Sequence, residues 1–303
     1  MKILVSGGTG LLGKKLVRIL LNLGHNVDVL TRNLSHESPQ NYFYWNPSKE
    51  QIDCNALKET DCIIHLAGAD ISSSRWTQKR KKILFNSRIE SAKFLHKKCL
   101  EFNVFPKFFI SCSAVGFYGG INNLEPRTED MNSYNDFLGI LCKDWENAAN
   151  LFKNNGCQVS KIRLGLVLSQ NGGALPKMSF PIKYGVGSVL GSGMQSVPWI
   201  HIEDLCHIFI QLINGSLPHS VYNAVSPNSV TNKEFTECIA RVINRHLWLP
   251  NIPSFILWIL FGEMSVILLK GSHVSAEKLL QNGFSFKFPK LSDALCQIWD
   301  QSD

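Results

Sequence analysis

The chain runs to 303 residues, 45% of them apolar and 18% charged, with a formal net charge of +7. This length suits one large domain, or a nucleotide-binding domain with a smaller partner lobe, and the apolar content excludes global disorder. Nine cysteines fall without any CxxC pair, so no metal site and no disulfide framework is expected, and a reducing, cytoplasmic compartment is. Met1 leads straight into a strand, so no targeting segment is expected ahead of the fold.

The first strand is expected at residues 2–6, Lys2-Ile3-Leu4-Val5-Ser6, followed by a glycine-rich turn at 7–13. Apolar residues then recur at Leu12, Leu16, Ile19, Leu20 and Leu23, the spacing of one helical face, and Gly24 ends the run. A second strand follows at 26–30, so the three elements make a βαβ unit of about 30 residues.

The turn reads Gly7-Gly8-Thr9-Gly10-Leu11-Leu12-Gly13, with GxxGxxG spacing at Gly7, Gly10 and Gly13. Glycine is required there so that the chain turns tightly, a diphosphate approaches the backbone, and the helix packs close to its strand. Thr9 completes the turn, and the helix that opens at Leu11 and Leu12 aims free N–H groups at the pyrophosphate. The position after a strand and before a periodic helix is the context that gives such a pattern weight.

The end of the second strand separates NAD from NADP. An NAD site needs a carboxylate there for the ribose 2′-hydroxyl. Asp28 lies too early, inside the strand, and the strand ends in Thr31-Arg32. The planar Arg32 cation suits a 2′-phosphate, so NADP is expected in preference to NAD.

Further strands are expected at 61–68, 107–111 and 159–164, and helices at 75–100 and 137–152. This alternation predicts an α/β fold, a Rossmann doubly wound parallel sheet with helices on both faces. The basic run Lys79-Arg80-Lys81-Lys82 lacks interleaved aromatics and is read as a solvated helix face, not a nucleic-acid surface. Beyond residue 165 glycines punctuate a loop-rich stretch, and segments 197–213 and 221–224 are expected to return to the sheet. The expected organisation is an NADP-binding domain at 1–245, whose loops at 170–200 contribute to a substrate cleft, and a smaller C-terminal substrate lobe at 246–303. The apolar run 255–261 has seven residues, against the roughly 20 that a spanning helix needs. It is read as a buried helix or an apolar lobe surface, with no membrane partner.

These residues resemble an extended short-chain dehydrogenase/reductase. The resemblance rests on the glycine turn, Thr31-Arg32, and Asp61-Cys62-Ile63-Ile64-His65-Leu66-Ala67-Gly68. Ser113-Ala114-Val115-Gly116-Phe117-Tyr118-Gly119, Trp145-Glu146, Arg163-Leu164-Gly165-Leu166-Val167-Leu168 and Pro198-Trp199-Ile200-His201-Ile202-Glu203-Asp204 narrow it to the atypical "epimerase family protein" subfamily, and the tail through Gly283-Phe284-Ser285-Phe286 is similar to that subfamily's C-terminal domain. The resemblance implies that Leu66 and Ala67 line the adenosine side, that Arg88 faces the 2′-phosphate from the adjoining helix, and that Val167 presents backbone near the nicotinamide. It also implies that Asp204 is a structural cap in the connection from sheet to lobe.

Members of that superfamily use Ser or Thr with a YxxxK pair on one helical face, where the lysine lowers the tyrosine pKa for proton transfer. Aligning Glu146 with the acidic residue that follows this pair puts Leu138 and Cys142 at the tyrosine and lysine positions, so the dyad is absent. Lys143 is one residue off, and Tyr134 stands nine residues before it. Ser113 matches the superfamily serine, and Tyr118 in the following loop is the candidate replacement for the missing phenol. Two functions remain open: an NADP-dependent oxidoreductase or epimerase acting on a nucleotide-sugar or other small carbonyl or alcohol substrate, and a non-catalytic NADP-binding redox sensor or scaffold. Monomer and homodimer are both open, a dimer using the helices at 75–100 and 137–152.

Overall fold

Ile3, Leu4 and Val5 are all fully buried, which a strand achieves only when both faces of its sheet are covered. The computed structural model describes residues 1–34, 41–121 and 125–300 and shows that cover. Its strands are β1 (Lys2–Ser6), β2 (Asn26–Thr31), β3 (Asn41–Asn46), β4 (Gln51–Ile52), β5 (Cys62–His65), β6 (Phe108–Ala114), β7 (Gln158–Leu164), β8 (Leu166–Leu168), β9 (Trp199–His201) and β10 (Val221–Ala224). Eight of them form one sheet in the order β10-β7-β6-β5-β1-β2-β3-β4, parallel except at the β3–β4 edge. The Rossmann doubly wound α/β fold is therefore as expected.

The helices are α1 (Leu11–Asn22), α2 (Gln78–Phe85), α3 (Ser91–Glu101), α4 (Phe137–Asn150), α5 (Ala174–Lys183), α6 (Ile202–Ile213), α7 (Asn232–Val242), α8 (Ser254–Phe261), α9 (Val266–Leu269), α10 (Glu277–Gln281) and α11 (Leu291–Asp300). Side chains alternate across the sheet. Ile3, Val5 and Ile64 join Leu16 and Leu20 of α1 and Leu205 and Phe209 of α6. Leu4, Ile63 and Phe109 join Phe94 and Leu95 of α3 and Phe152 just past α4. Each such side chain removed from water contributes about 1.5–3 kcal/mol, so the two layers fix the register of β1, β5 and β6.

Two expectations change. The segment 197–213 does not return to the main sheet: β9 pairs with β8 in a separate two-stranded sheet, while β10 does pair with β7. Gly165 is the pivot. Its N–H still bonds Ala224 at the end of β10, but the next N–H, of Leu166, bonds Pro198, so the chain leaves β7 there. The helix at 75–100 is broken. Thr77 caps α2 by accepting from the Arg80 N–H, and a π-turn at Asn86–Glu90 separates α2 from α3. Of the two readings of residues 255–261, α8 presents the apolar surface and not the buried helix. Leu257 is its one buried residue, while Phe255, Trp258, Ile259 and Leu260 are exposed. No helix among the described residues is long and apolar enough to cross a membrane.

The basic run belongs partly to internal contacts. Arg80 donates to Ser73 Oγ (2.6 Å) and to the Asp70 carbonyl, and Lys81 pairs with Glu263 (2.7 Å) just beyond α8. The C-terminal segment shares its cores with the preceding domain. Met264, Leu279 and Phe284 lie in the cluster of β1 and α6, and Phe288, Leu291 and Leu295 pack with Leu168, Trp199 and Phe235.

Candidate functional site

Parallel strands bring their carboxyl ends to one edge. The register pairs Ser6 with both Leu30 and His65, His65 with Ser111, and Ser113 with Arg163. The glycine turn, Thr31-Arg32, Leu66-Ala67 and Ser113 are thereby aligned along one rim, the place where open α/β sheets bind ligands.

The turn is a cradle that only glycine permits. Gly7 has φ +73°, and a Cβ there would meet the Leu66 and Ala67 backbone at 2.8 Å. A Cβ on Gly13 would run into the Gly7 carbonyl and the Gly8 backbone. Gly10 closes the turn by donating to the Gly7 carbonyl (3.0 Å) and serves as N-cap of α1 without a side-chain cap. The first turn of α1 also carries no acidic residue, so its positive end is not neutralised by its own side chains. Leu11 leans against Gly172 and Gly173, while Thr9 and Leu12 are half-buried.

At the end of β2, Thr31 is buried and its hydroxyl is held by the Asn33 backbone, accepting from its N–H at 3.2 Å. Arg32 is exposed and makes no ion pair among the described residues. Asp28 is buried further back, beside Lys2 Nζ (3.1 Å) and accepting from Asn41 Nδ2 (3.0 Å). It is therefore a structural carboxylate, unavailable to a ribose at the rim.

Arg88 does not stand with Arg32. The π-turn aims it at the exit of β5, on the far side of β1 from β2: Nη2 donates to the Ala69 carbonyl (2.9 Å), and the guanidinium lies against Gly68 and over the Trp145 ring. Ser87 accepts from the Ala69 N–H (3.0 Å), so the two residues hold the backbone on both sides of Ala69. Such single-turn π segments often occur at functional sites. Val167 lies in β8, opposite Ile200.

The other end of the rim holds a closed polar network. Ser113 Oγ donates to Glu146 Oε1 (2.9 Å), and Arg163 donates to both Glu146 oxygens (2.8 and 3.0 Å). Arg163 Nη1 also donates to the Tyr118 hydroxyl (2.7 Å), which donates to Asn223 Oδ1 (2.7 Å). The Asn223 N–H donates to Glu129 (2.8 Å), and its amide donates to the Arg127 and Ser275 carbonyls. Ser113 and Tyr118 are only 1% and 2% exposed. Burial pushes the Tyr118 phenol up to about 12, against which Arg163 acts only in part. Leu138 packs on Gly116 at the tyrosine position, and burial, reinforced by the Glu146 charge, pushes the Cys142 thiol up to about 12 at the lysine position.

Sequence reasoning singled out Ser113 and Tyr118 but not Arg163, Glu129 or Asn223, which hold them. A signal was present: Arg163 lies inside an apolar strand pattern, and a buried arginine requires a carboxylate partner. His201 and Asp204 take different structural roles. His201 caps α6 by accepting from the Glu203 N–H, and Asp204 accepts from the backbone N–H groups of Lys287 and Phe288 (2.7 and 3.0 Å), tying the tail to α6. No group of three or more metal-ligating side chains occurs among the described residues.

Residues 3–224 match the model of the NAD dependent epimerase/dehydratase family, and residues 252–298 match a domain of unknown function (DUF1731). Epimerase family protein YfhF of Bacillus subtilis is 35% identical over 98% of both chains. The crystal structure of human epimerase family protein SDR39U1 (isoform 2) with NADPH is similar at a TM-score of 0.87 and 30% identity, covering 99% of each chain. UDP-glucose 4-epimerase of Thermotoga maritima, solved with UDP-glucose, aligns over 100% of this chain and 99% of its own at a TM-score of 0.78 and 17% identity, a likeness of fold.

Proposed function

The chain belongs to the NAD-dependent epimerase/dehydratase family, and from that premise we propose that it binds NADP and acts as an oxidoreductase on a small carbonyl or alcohol substrate, a nucleotide sugar among the candidates. The observation that carries the reading is the uncapped, acid-free N-terminus of α1 behind a cradle that a Cβ would fill, with Arg32, which has no ion pair among the described residues, at the neighbouring strand end. A human relative 30% identical is described with NADPH, which supports the same choice. The dinucleotide supplies hydride chemistry when bound. Gly7, Thr9, Gly10, Leu11, Leu12 and Gly13 receive its diphosphate, Thr31 and Arg32 its 2′-phosphate, and Leu66 and Ala67 its adenosine side. Val167 borders the nicotinamide end. Arg88 fits the diphosphate or the nicotinamide ribose better than the 2′-phosphate, because it is anchored at the exit of β5. The substrate lies between residues 1–245 and a C-terminal lobe at 246–303.

In this reading Ser113 hydrogen-bonds the substrate oxygen, and Tyr118 acts at one remove, holding Arg163 and through it the Ser113–Glu146 pair. Neither residue shuttles a proton as the family's lysine-activated tyrosine does. That saturation also favours a second reading, an NADP-binding sensor or scaffold without turnover.

Titration separates the possibilities. Arg32→Glu removes one charge-assisted contact, about 1.5–3 kcal/mol, and should weaken NADPH by about 10- to 100-fold while leaving NADH nearly unchanged. Equal losses for both cofactors would refute the 2′-phosphate role. NADPH oxidation across a panel of carbonyl substrates should fall in Ser113→Ala. Unchanged turnover in that variant removes Ser113 from the site, and tight NADPH binding with no turnover on any substrate favours the sensor.

A further inference from the structure

α8 is fastened to the body of the protein and still shows apolar side chains to solvent. Leu257 is buried beneath it, and Arg75 holds its last turn by donating to the Leu260 carbonyl (2.8 Å) and to the Ile259 carbonyl. Phe255, Trp258 and Ile259 remain exposed, Trp258 to 65%. The helix does not stand alone. Phe180 and Tyr184, at and just past the end of α5, are exposed with their rings 4.7 Å apart, and Trp248 is exposed to 71%. Hydrogen bonds stitch these pieces together. The Trp248 indole donates to the Gly185 carbonyl (2.8 Å), Asn251 Nδ2 to the Gly191 carbonyl (3.1 Å), and the Ile252 N–H to the Val189 carbonyl (2.8 Å). Gly191 in turn lies against Ser254, the first residue of α8. Single exposed apolar residues are ordinary, but a patch that joins several aromatics marks an interaction surface.

Acids are missing from the same stretches. No Asp or Glu occurs between Glu146 and Glu203, or between Glu237 and Glu263. Lys183 and Arg245 are exposed beside the aromatics and are tied to each other by the Arg245 Nε–H, which donates to the Lys183 carbonyl (3.2 Å). Neither makes an ion pair among the described residues. Acids nearby are already engaged: Glu237 faces Lys233 (3.9 Å), Glu263 pairs with Lys81 (2.7 Å), and Asp70 pairs with Lys177 (3.4 Å). The face is therefore apolar, aromatic and positive at once.

That combination selects among occupants. A second copy would set the same patch against itself, since a two-fold interface is self-complementary, and Lys183 and Arg245 would meet cations with no free acid between them. A nucleic acid would suit the cations and the rings, but aliphatic Ile259 and Leu260 offer its bases no stacking surface. An anionic lipid surface matches every part. Trp and Tyr settle at headgroup depth, aliphatic side chains reach the acyl boundary, and Lys and Arg meet lipid phosphates. With eight residues α8 is too short to span a bilayer, so it would lie in the plane of the surface.

We infer that this face seats the protein on an anionic lipid surface, with α8 lying along the headgroups, Trp248 and Trp258 at the acyl boundary, and Lys183 and Arg245 on lipid phosphates. It replaces the absence of a membrane partner expected from the length of the apolar run alone. The attachment is peripheral and does not depend on which cofactor or substrate the chain takes.

The full chain is sedimented with vesicles of phosphatidylcholine, alone and mixed with phosphatidylserine. Binding to the mixed vesicles should exceed binding to phosphatidylcholine alone by about tenfold and should fall as salt is raised. Trp258→Ser combined with Ile259→Ser alters two exposed side chains, so the melting temperature should hold while binding to mixed vesicles weakens by about tenfold or more. Lys183→Gln combined with Arg245→Gln should remove most of the preference for phosphatidylserine. Brominated acyl chains should quench tryptophan fluorescence in the unaltered protein and quench it less in the Trp258/Ile259 variant. No binding to mixed vesicles, or equal binding by the Trp258/Ile259 variant, would overturn the assignment. Self-association of the lipid-free chain that those two changes abolish, without vesicle binding, would give the face to a second copy instead.

Discussion

The two ends of the sheet's carboxyl edge are built on opposite plans. At β1 and β2 the donors are left open: α1 starts without a side-chain cap or an acid, and Arg32 projects with no ion pair among the described residues. At β6 and β7 the polar groups are spent on one another, from Ser113 through Glu146, Arg163 and Tyr118 to Asn223. Open donors at a rim are a surface waiting for an external anion, whereas a closed buried network orders the chain around it. The glycine cradle therefore persists in one region, while in the other Leu138 and Cys142 stand where the resemblance expects the tyrosine and lysine, beside a closed polar network.

The sharpest break of this contrast is Glu146→Ala. Arg163 is 3% exposed and would lose both carboxylate contacts, leaving a buried cation without a counter-charge. Breaking such a pair typically costs about 3–5 kcal/mol, read as a fall in the denaturant midpoint. A loss under about 1 kcal/mol would show that the network is not what holds β6, α4 and β7 together.

The same contrast explains what the sequence discloses. The cradle is a local pattern: three glycines, a strand before and a periodic helix after, all within residues 2–23. Thr31-Arg32 and the misplaced Asp28 are equally local. The closed network is not. Tyr118 and Asn223 are 105 residues apart, and Ser113 and Glu146 are 33 apart, so their pairing depends on strand order, which no short pattern encodes. The β8–β9 pair was hidden for a similar reason, since its strands are only three residues each and the redirection rests on Gly165 and Pro198. The π-turn that moves Arg88 away from Arg32 also lay beyond reach, because apolar residues at Phe85, Ile89, Ala92, Leu95 and Cys99 keep helical spacing straight through it.

Acid should expose how tightly the middle of the rim is closed. His65 is fully buried between the Ser6 hydroxyl (2.7 Å from Nδ1) and the Ser91 hydroxyl (3.1 Å from Nε2), and burial lowers its pKa from 6.5 to about 4. The unfolded chain takes up a proton below 6.5 that the folded chain refuses. Stability from this group is thus complete above 6.5 and is lost as pH falls toward about 4, by about 1.4 kcal/mol per unit. Unfolding midpoints measured across that window should decline less steeply in His65→Gln. Parallel slopes in the two proteins would mean that His65 titrates freely.

At the open end, Gly13→Ala tests whether the cradle is as tight as it looks. A Cβ there meets backbone on the preceding turn, which has little room to yield. Overpacking of this kind costs about 1–3 kcal/mol. The expected result is a moderate fall in melting temperature and a disproportionate loss of NADPH affinity, since α1 must move away from the turn. Intact NADPH binding would show that the turn is looser than its contacts imply.

Ser113→Ala has the smallest expected effect and separates the two regions most cleanly. The hydroxyl donates one hydrogen bond to Glu146, and that carboxylate keeps its two Arg163 bonds when the serine is gone. No buried charge is stranded, so the cost should be about 1 kcal/mol, that of one buried hydrogen bond. NADPH affinity should be unchanged, because the proposed site receives the cofactor's phosphates at β1 and β2, two and three strands away from β6. A tenfold loss of NADPH affinity, equivalent to about 1.4 kcal/mol, would mean that the closed network reaches the cofactor directly. The rim would then have to be treated as one coupled site, with Ser113 holding the nicotinamide end as well as Glu146.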